Sequence, residues 1–205
     1  IAEDGEILTR GPCVMAGYYK NEAATQEAVR DGWFYTGDIG AFDEGGFLKI
    51  TDRKKDIIVT SGGKNIAPQN IENLILFDKL FSQVIVIGDK RNYLVALIVP
   101  NRSEIERFAR ENGLEALSWA ELLERPLTYR WVEDRLRQKT QPLAPYEQIK
   151  YFSLLEKELT VESGDMTPTL KIKRRRVMEK YHDLIETLYQ RAQEVSAARR
   201  LPNES

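Results

Sequence analysis

The order of apolar and polar positions divides the chain into a β-rich beginning and a mixed remainder. Gly5-Glu6-Ile7-Leu8-Thr9 alternates as a half-buried strand does, and Gly11-Pro12 punctuates it. The stretch 14–19 is apolar. Asn21 stands where a side-chain oxygen caps a helix, and residues 23–29 carry that helix as far as Asp31-Gly32. Trp33-Phe34-Tyr35 then run into Thr36-Gly37-Asp38, which reads as an aromatic strand ending in a small tight turn. Asp43-Glu44-Gly45-Gly46 separates 39–42 from 47–51 as the turn of a hairpin. Ile57-Ile58-Val59 is a short β-branched strand closed by the turn Ser61-Gly62-Gly63.

Beyond this point the period changes. Ala67-Pro68 opens a helix with Ile71, Leu74, Ile75 and Phe77 on its apolar side. Residues 82–88 and 93–99 are nearly continuous apolar runs, and Pro100 stops the second. Runs apolar on both faces predict strands near the middle of a sheet. A helix is predicted over 104–111, capped by Ser103 and stopped by Asn112-Gly113. A short amphipathic segment follows at 117–123. A longer helix runs from Pro126 to Lys139, with Tyr129, Trp131 and Val132 read as core, and Pro142 and Pro145 break it. Residues 149–155 form a further strand. A loop at 162–166 and the basic run 167–176 lead into one final helix carrying Val177, Tyr181, Leu184, Ile185, Leu188 and Tyr189, and 201–205 is a frayed tail. Without regular βαβ alternation the fold class is α+β: a mixed or antiparallel sheet flanked by helices, preceded by a short β-rich stretch.

Composition narrows the function classes. The 205 residues are 42% hydrophobic and 30% charged, as in a soluble globular protein. A net charge of −2 gives no overall field to gather nucleic acid. The single cysteine, Cys13, excludes an internal disulfide, fits a reducing compartment and reads as a packed small side chain. One histidine, His182, excludes a His-Cys zinc cluster and a multi-histidine metal site, so no metal ligand is assigned. No signal peptide or bilayer-length apolar run is visible, and the expected location is cytoplasmic.

Two segments carry candidate chemistry. Asp52-Arg53-Lys54-Lys55-Asp56 leads through the short strand to Gly62-Gly63-Lys64, placing charge beside a turn where backbone can approach a ligand closely. Arg53 and Lys64 can meet phosphate or ribose oxygens, and a surface hairpin with solvated charges is the alternative. Asp38 can accept two hydrogen bonds, which suits the vicinal hydroxyls of a ribose; an ordinary Gly-Asp turn is the alternative. Near the other end, Lys171 sits at a helix entrance able to reach a phosphate, where an ammonium stabilises redistributing charge. A solvated cationic helix start or a weak nucleic-acid patch is the alternative there.

Taken together, Gly32-Trp33-Phe34-Tyr35-Thr36-Gly37-Asp38, Asp52-Arg53-Lys54-Lys55-Asp56, Ser61-Gly62-Gly63-Lys64-Asn65-Ile66-Ala67-Pro68 with Glu72, and Thr167-Pro168-Thr169-Leu170-Lys171-Ile172-Lys173-Arg174 resemble four ordered motifs of the adenylate-forming, AMP-binding superfamily. The Thr-Pro-Thr-Leu-Lys form and the long insert at 114–145 look most like long-chain fatty-acid–CoA ligases. The resemblance implies that 1–52 is the end of a large N-terminal domain, 53–55 a hinge, and 56–205 a small C-terminal lid. It implies that Asp38 and Arg53 serve the AMP ribose and nucleotide, that Lys55 is the hinge residue, and that Lys171 acts in acyl-adenylate formation. Gly62, Gly63 and Lys64 would lie along the path of CoA. ATP, Mg2+ and CoA would serve the full-length enzyme, with none held tightly by the fragment. The partners would be the missing N-terminal domain, nucleotide, CoA and a long-chain fatty acid; nucleic acid is not expected, and peripheral membrane contact of the parent is left open. An adenylation piece serving a carrier protein and a non-enzymatic binding module are the competing classes. Two positions depart from the family pattern: Val59 replaces a lysine found in many relatives, and Leu170 replaces a glycine before the catalytic lysine. The phosphate loop, the metal-binding residue and the acyl tunnel have no counterpart here, so the chain alone is expected not to turn over.

Overall fold

The computed structural model describes residues 1–198, with side chains described through Gln190; the tail expected to fray at 201–205 lies outside the described residues. The chain forms two compact units, Ile1–Ile58 with Asn65–Asn70, and Val59–Lys64 with the chain from Ile71 onward.

The first unit contains β1 (Glu6–Thr9), α1 (Glu22–Ala28), β2 (Val29–Arg30), β3 (Trp33–Phe42) and β4 (Leu48–Arg53). Asn21 caps α1 by accepting from the Ala24 amide at 3.1 Å. β1, β2 and β4 all pair antiparallel with β3, β2 with its start and β4 with its second half. The expected turn at Thr36-Gly37-Asp38 is instead the middle of the ten-residue β3. Gly37 takes a left-handed φ of +71° and gives its amide to Glu6 Oε1 at 2.9 Å, and the register shifts between Ile39 and Gly40. The strand bends there rather than ending. Gly40 must be glycine, because a Cβ would stand 2.5 Å from the Lys49 carbonyl oxygen. The hairpin at 43–46 forms as its residues predict, with Asp43 Oδ1 accepting from the amides of Gly45 and Phe47. Cys13 is exposed rather than packed, because the irregular segment between β1 and α1 offers it no core.

A 3-10 turn (Lys54–Asp56), β5 (Ile58–Val59) and β6 (Asn65–Ile66) follow, so the predicted strand at 57–59 keeps only two residues. Next come α2 (Pro68–Leu76), β7 (Phe81–Ile87), β8 (Leu94–Pro100), α3 (Arg102–Glu111), α4 (Trp119–Glu124), α5 (Pro126–Thr140), β9 (Ile149–Leu154), α6 (Arg174–Lys180) and α7 (His182–Ala198). The sheet of the second unit has the order β7-β8-β9, antiparallel then parallel, which is the mixed sheet of an α+β fold.

Every residue of β8 is buried, as a central strand requires. One sheet face, carrying Ile85, Ile87, Val95, Leu97 and Val99, packs against Val177 of α6 and Ile185, Leu188 and Tyr189 of α7. Phe152, registered beside Ala96 on the other face, stacks on Tyr129 of α5 at 4.4 Å, and Trp131 of α5 stacks on Phe108 of α3.

Four local expectations change. β7 lies at the edge of the described sheet, although its sequence is as apolar as that of a central strand. Its edge is covered by side chains: Glu72 and Arg174 take both main-chain groups of Val86, and the Gln83 amide pairs with the N–H and C=O of Leu159 at 2.8 and 2.9 Å. An edge masked in this way is protected from pairing with another chain. Asn101, not Ser103, caps α3, because its Oδ1 accepts from the amides of both Ser103 and Glu104. Phe77 falls beyond the end of α2 and is 83% exposed. The single final helix is two, broken at Tyr181 (ψ 22°); the apolar period continues across the break, so the pattern does not register it.

Candidate functional site

In the first unit, β3 and β4 bring Asp38 and Arg53 into register, and Arg53 Nε meets Asp38 Oδ1 at 2.8 Å. Arg53 Nη1 also reaches the Thr36 carbonyl at 3.4 Å. Among the described residues nothing donates to Asp38 Oδ2, and its carboxylate is partly exposed, so it keeps acceptor capacity for an external hydroxyl. Two residues that sequence reasoning did not single out fix this corner. Glu6, buried at 4%, takes the Gly37 amide on Oε1 and Lys54 Nζ on Oε2 at 2.8 Å. Lys54 also meets Asp4 at 2.6 Å; its hydrogen bonds to Asp4 and then Glu6 hold its ammonium above the ordinary lysine value. A buried acid at an inward position of an alternating strand was the available signal for Glu6. In the run 52–56, Lys54 is therefore tied down, while Lys55 is exposed and makes no ion pair among the described residues. Asp52 is buried at 3% and supports the start of α2, accepting from the amides of Arg53 and Gln69 at 2.7 and 3.0 Å.

In the second unit, Gly62, Gly63 and Lys64 share one exposed loop. Thr60 closes it, donating its amide to the Lys64 carbonyl and accepting from the Lys64 and Gly63 amides. Gly63 has φ +73°; a Cβ on it would meet open space and one on Gly62 only Thr60 Oγ1 at 4.0 Å, so the backbone here is accessible to a ligand. Lys64 Nζ lies over the Tyr146 ring, 5.6 Å from its centroid.

Lys171 sits on a short loop that is hydrogen-bonded to itself. Met166 and Ile172 bridge its stem. Thr167 N donates to the Lys171 carbonyl at 2.8 Å, and the Leu170 amide donates to the Thr167 carbonyl at 2.9 Å. Lys171 N donates to Thr167 Oγ1 at 3.0 Å. Leu170 carries a φ of +58° and is 70% exposed, so the position that departs from the family glycine is one whose backbone favours glycine.

Most nearby cations are engaged, while Lys173, exposed, makes no ion pair among the described residues. Arg174 bonds Glu72 and Val86, Arg175 meets Glu179, and Arg176 and Lys180 face Asp165. Lys171 has no ion pair among the described residues and stands exposed. Asp165 is a further residue the sequence did not disclose, since its partners lie up to fifteen positions away. It is fully buried; burial pushes its carboxyl up, but bonds from Lys180 and Ser163 outweigh this and hold it below its ordinary value. Its main-chain carbonyl accepts from Lys173 N at 2.8 Å, which fixes the stem of the lysine loop. His182 is a surface residue beside Asp183. Asp38 and Arg53 belong to the first unit, and Gly62, Gly63, Lys64 and Lys171 to the second.

Comparison with known proteins places these features in a family context. A family profile described as the AMP-binding enzyme C-terminal domain matches residues 55–125. The long-chain-fatty-acid–CoA ligase FadD15 of Mycobacterium tuberculosis is 43% identical over 190 residues, covering 92% of this chain and 32% of its own length. Human long-chain-fatty-acid–CoA ligase 6 is 38% identical, covering 91% of this chain and 27% of its own length. Among solved structures, the adenylation domain of a carboxylate reductase from Mycobacterium chelonae aligns with a TM-score of 0.75 at 28% identity, covering 91% of this chain and 28% of that one. O-succinylbenzoate coenzyme A synthetase from Bacillus subtilis, solved in complex with AMP, aligns at 0.56 and 28% identity over 83% of this chain and 29% of that one. The chain thus spans about a third of the length of the curated relatives it matches.

Proposed function

We propose, for a chain that belongs to the adenylate-forming, AMP-binding enzymes and corresponds to their C-terminal portion, that it is the lid end of a long-chain fatty-acid–CoA ligase. The parent would join a fatty-acid carboxylate to the α-phosphate of ATP, releasing pyrophosphate. The CoA thiol would then displace AMP from the acyl-adenylate. Asp38 would accept from the ribose hydroxyls, with Arg53 orienting its carboxylate and facing the nucleotide. The Lys171 ammonium would balance charge that moves between carboxylate and phosphate oxygens as the first bond forms. Lys55, in its exposed turn, would be the pivot between two orientations, and the open backbone at Gly62 and Gly63, with Lys64, would border the thiol's path.

The observation that carries this reading is the Lys171 loop: a rigid support presenting an uncommitted ammonium among cations mostly held by acids. Among the described residues no group of three or more His, Cys, Asp or Glu is placed to hold a metal ion, and no step is assigned to Mg2+ here. No helix of the described residues is long and apolar enough to cross a membrane.

The test is Lys171→Ala in the parent enzyme. Pyrophosphate exchange with ATP and palmitate should fall by about a hundredfold or more, while thioester formation from supplied palmitoyl-adenylate and CoA persists. Equal loss in both half-reactions, or in neither, rejects the role. The chain by itself, given ATP, CoA and palmitate, should release no AMP.

A further inference from the structure

We infer that Glu72 and Arg174 are positioning residues for Lys171: they clamp the exit of the lysine loop to the sheet edge and to α2, and so set where the ammonium stands. The inference rests on the reading of Lys171 given above.

Arg174 follows Lys171 by three residues and begins α6. Its guanidinium is largely buried and every contact is short. Nη1 donates to the Val86 carbonyl at 2.7 Å, and Nη2 donates to both oxygens of Glu72, at 2.7 and 2.8 Å. Glu72 Oε1 in turn accepts the Val86 amide at 2.7 Å. The three residues close a ring in which a strand's unpaired amide and carbonyl are both taken by one ion pair. Such a fork holds its backbone in direction as well as in distance.

The other end of the loop is fixed separately, by Lys173 N on the Asp165 carbonyl and by the Met166–Ile172 bridge. Between these anchors Pro168, Thr169, Leu170 and Lys171 stand exposed on a self-bonded turn. The clamp also ties the lysine loop to α2, the helix entered through the segment that follows the glycine loop. Lys171 therefore takes its position from the α2–β7 framework and not from its own loop alone.

The experiment uses the parent enzyme with Arg174→Lys and Glu72→Gln. Glu72→Gln keeps the side-chain shape and Arg174→Lys keeps the positive charge, while each removes the fork. Pyrophosphate exchange should fall about tenfold to a hundredfold in kcat with KM for ATP unchanged, because a misplacement near 1 Å is sufficient for such a loss. Thioester formation from palmitoyl-adenylate should stay within about twofold of wild type. In the 205-residue chain itself, amide exchange at 167–172 should accelerate while exchange in β8 does not change. A parallel fall in both half-reactions marks a structural role only and overturns the inference. So does unchanged pyrophosphate exchange in variants that fold, or unchanged amide exchange in the loop. If Arg174→Lys fails to fold, Glu72→Gln alone decides by the same criteria. Lys171→Ala, run alongside, separates the two claims. If it leaves pyrophosphate exchange intact, the lysine reading itself falls and the clamp's role with it. If it abolishes exchange while both clamp variants remain fully active, only the clamp is rejected.

Discussion

Replacing Lys180 by Met should destabilise the second unit in a way that disappears in acid. Asp165 is fully buried. Its Oδ2 takes Lys180 Nζ at 2.5 Å and Ser163 Oγ at 2.7 Å, whereas Oδ1 makes no hydrogen bond and has Arg176 Nε at 3.8 Å. Without Lys180 a buried carboxylate is left with one hydroxyl and one distant guanidinium. Removing one member of a buried ion pair costs about 3–5 kcal/mol. The Lys180 side chain is 42% exposed, and Arg176 stays in place. Solvent screening and that second cation reduce the expected loss to about 2 kcal/mol at pH 7. The pH dependence follows from the direction of the Asp165 shift. Its folded-state carboxyl titrates below the ordinary 3.8, so its contribution is present above that value and is lost as pH falls through the lower, folded value. Lys180 is held above its ordinary 10.5, first by its hydrogen bond to Asp165, so the pair persists until pH rises past that value. Urea unfolding followed by the fluorescence of Trp119 and Trp131 should show a gap between wild type and variant of about 2 kcal/mol at pH 7 that is smaller near pH 3. A gap of equal size at both pH values would mean that packing, not charge, is what Lys180 supplies. A loss at pH 7 under about 0.5 kcal/mol would refute the burial argument itself.

Two further substitutions test the local geometry. Leu170→Gly removes a side chain that is 70% exposed at φ +58°. Relief of about 1–2 kcal/mol of left-handed strain, less about 0.5–1 kcal/mol for the freer unfolded glycine, should leave the chain stabilised by up to about 1.5 kcal/mol in urea unfolding. A clear loss of stability would show that the leucine packs in solution. Asp52→Ala withdraws the acceptor for the Arg53 and Gln69 amides and should cost about 1–2 kcal/mol, read as a lower midpoint in thermal unfolding by circular dichroism. Asp52→Asn should recover most of it, since the amide oxygen can still accept; an unchanged midpoint in the alanine variant would remove Asp52 from the support of α2.

The linear order of residues was enough to place most elements and the candidate chemistry. Alternation and continuous apolar runs locate β1, β8 and β9 because burial on one or both faces must appear as a period of two or as an unbroken run. Asn21, Pro68, Pro126 and Gly113 mark helix ends because capping and backbone freedom are local properties. The candidate residues Asp38, Arg53, Gly62, Gly63, Lys64 and Lys171 could be singled out for a similar reason, since each lies in a short contiguous motif.

Tertiary structure decided what depends on partners far apart in sequence. That Arg53 would meet Asp38 rests on the β3–β4 register and its bulge. That β7 could be apolar and yet lie at an edge depends on Glu72 and Arg174 arriving from two other segments to take the main-chain groups of Val86, and on the side chain of Gln83 in β7 itself pairing with the Leu159 backbone. That Asp165 and Glu6 are buried acids, and that Arg174 and Lys180 are held by acids while Lys171 is not, follows from ion pairs closed across 15 to 102 residues. Propensity and periodicity are short-range and survive in the sequence. Desolvation and charge pairing are set by which groups the fold brings within a few ångströms, and only the folded chain fixes that.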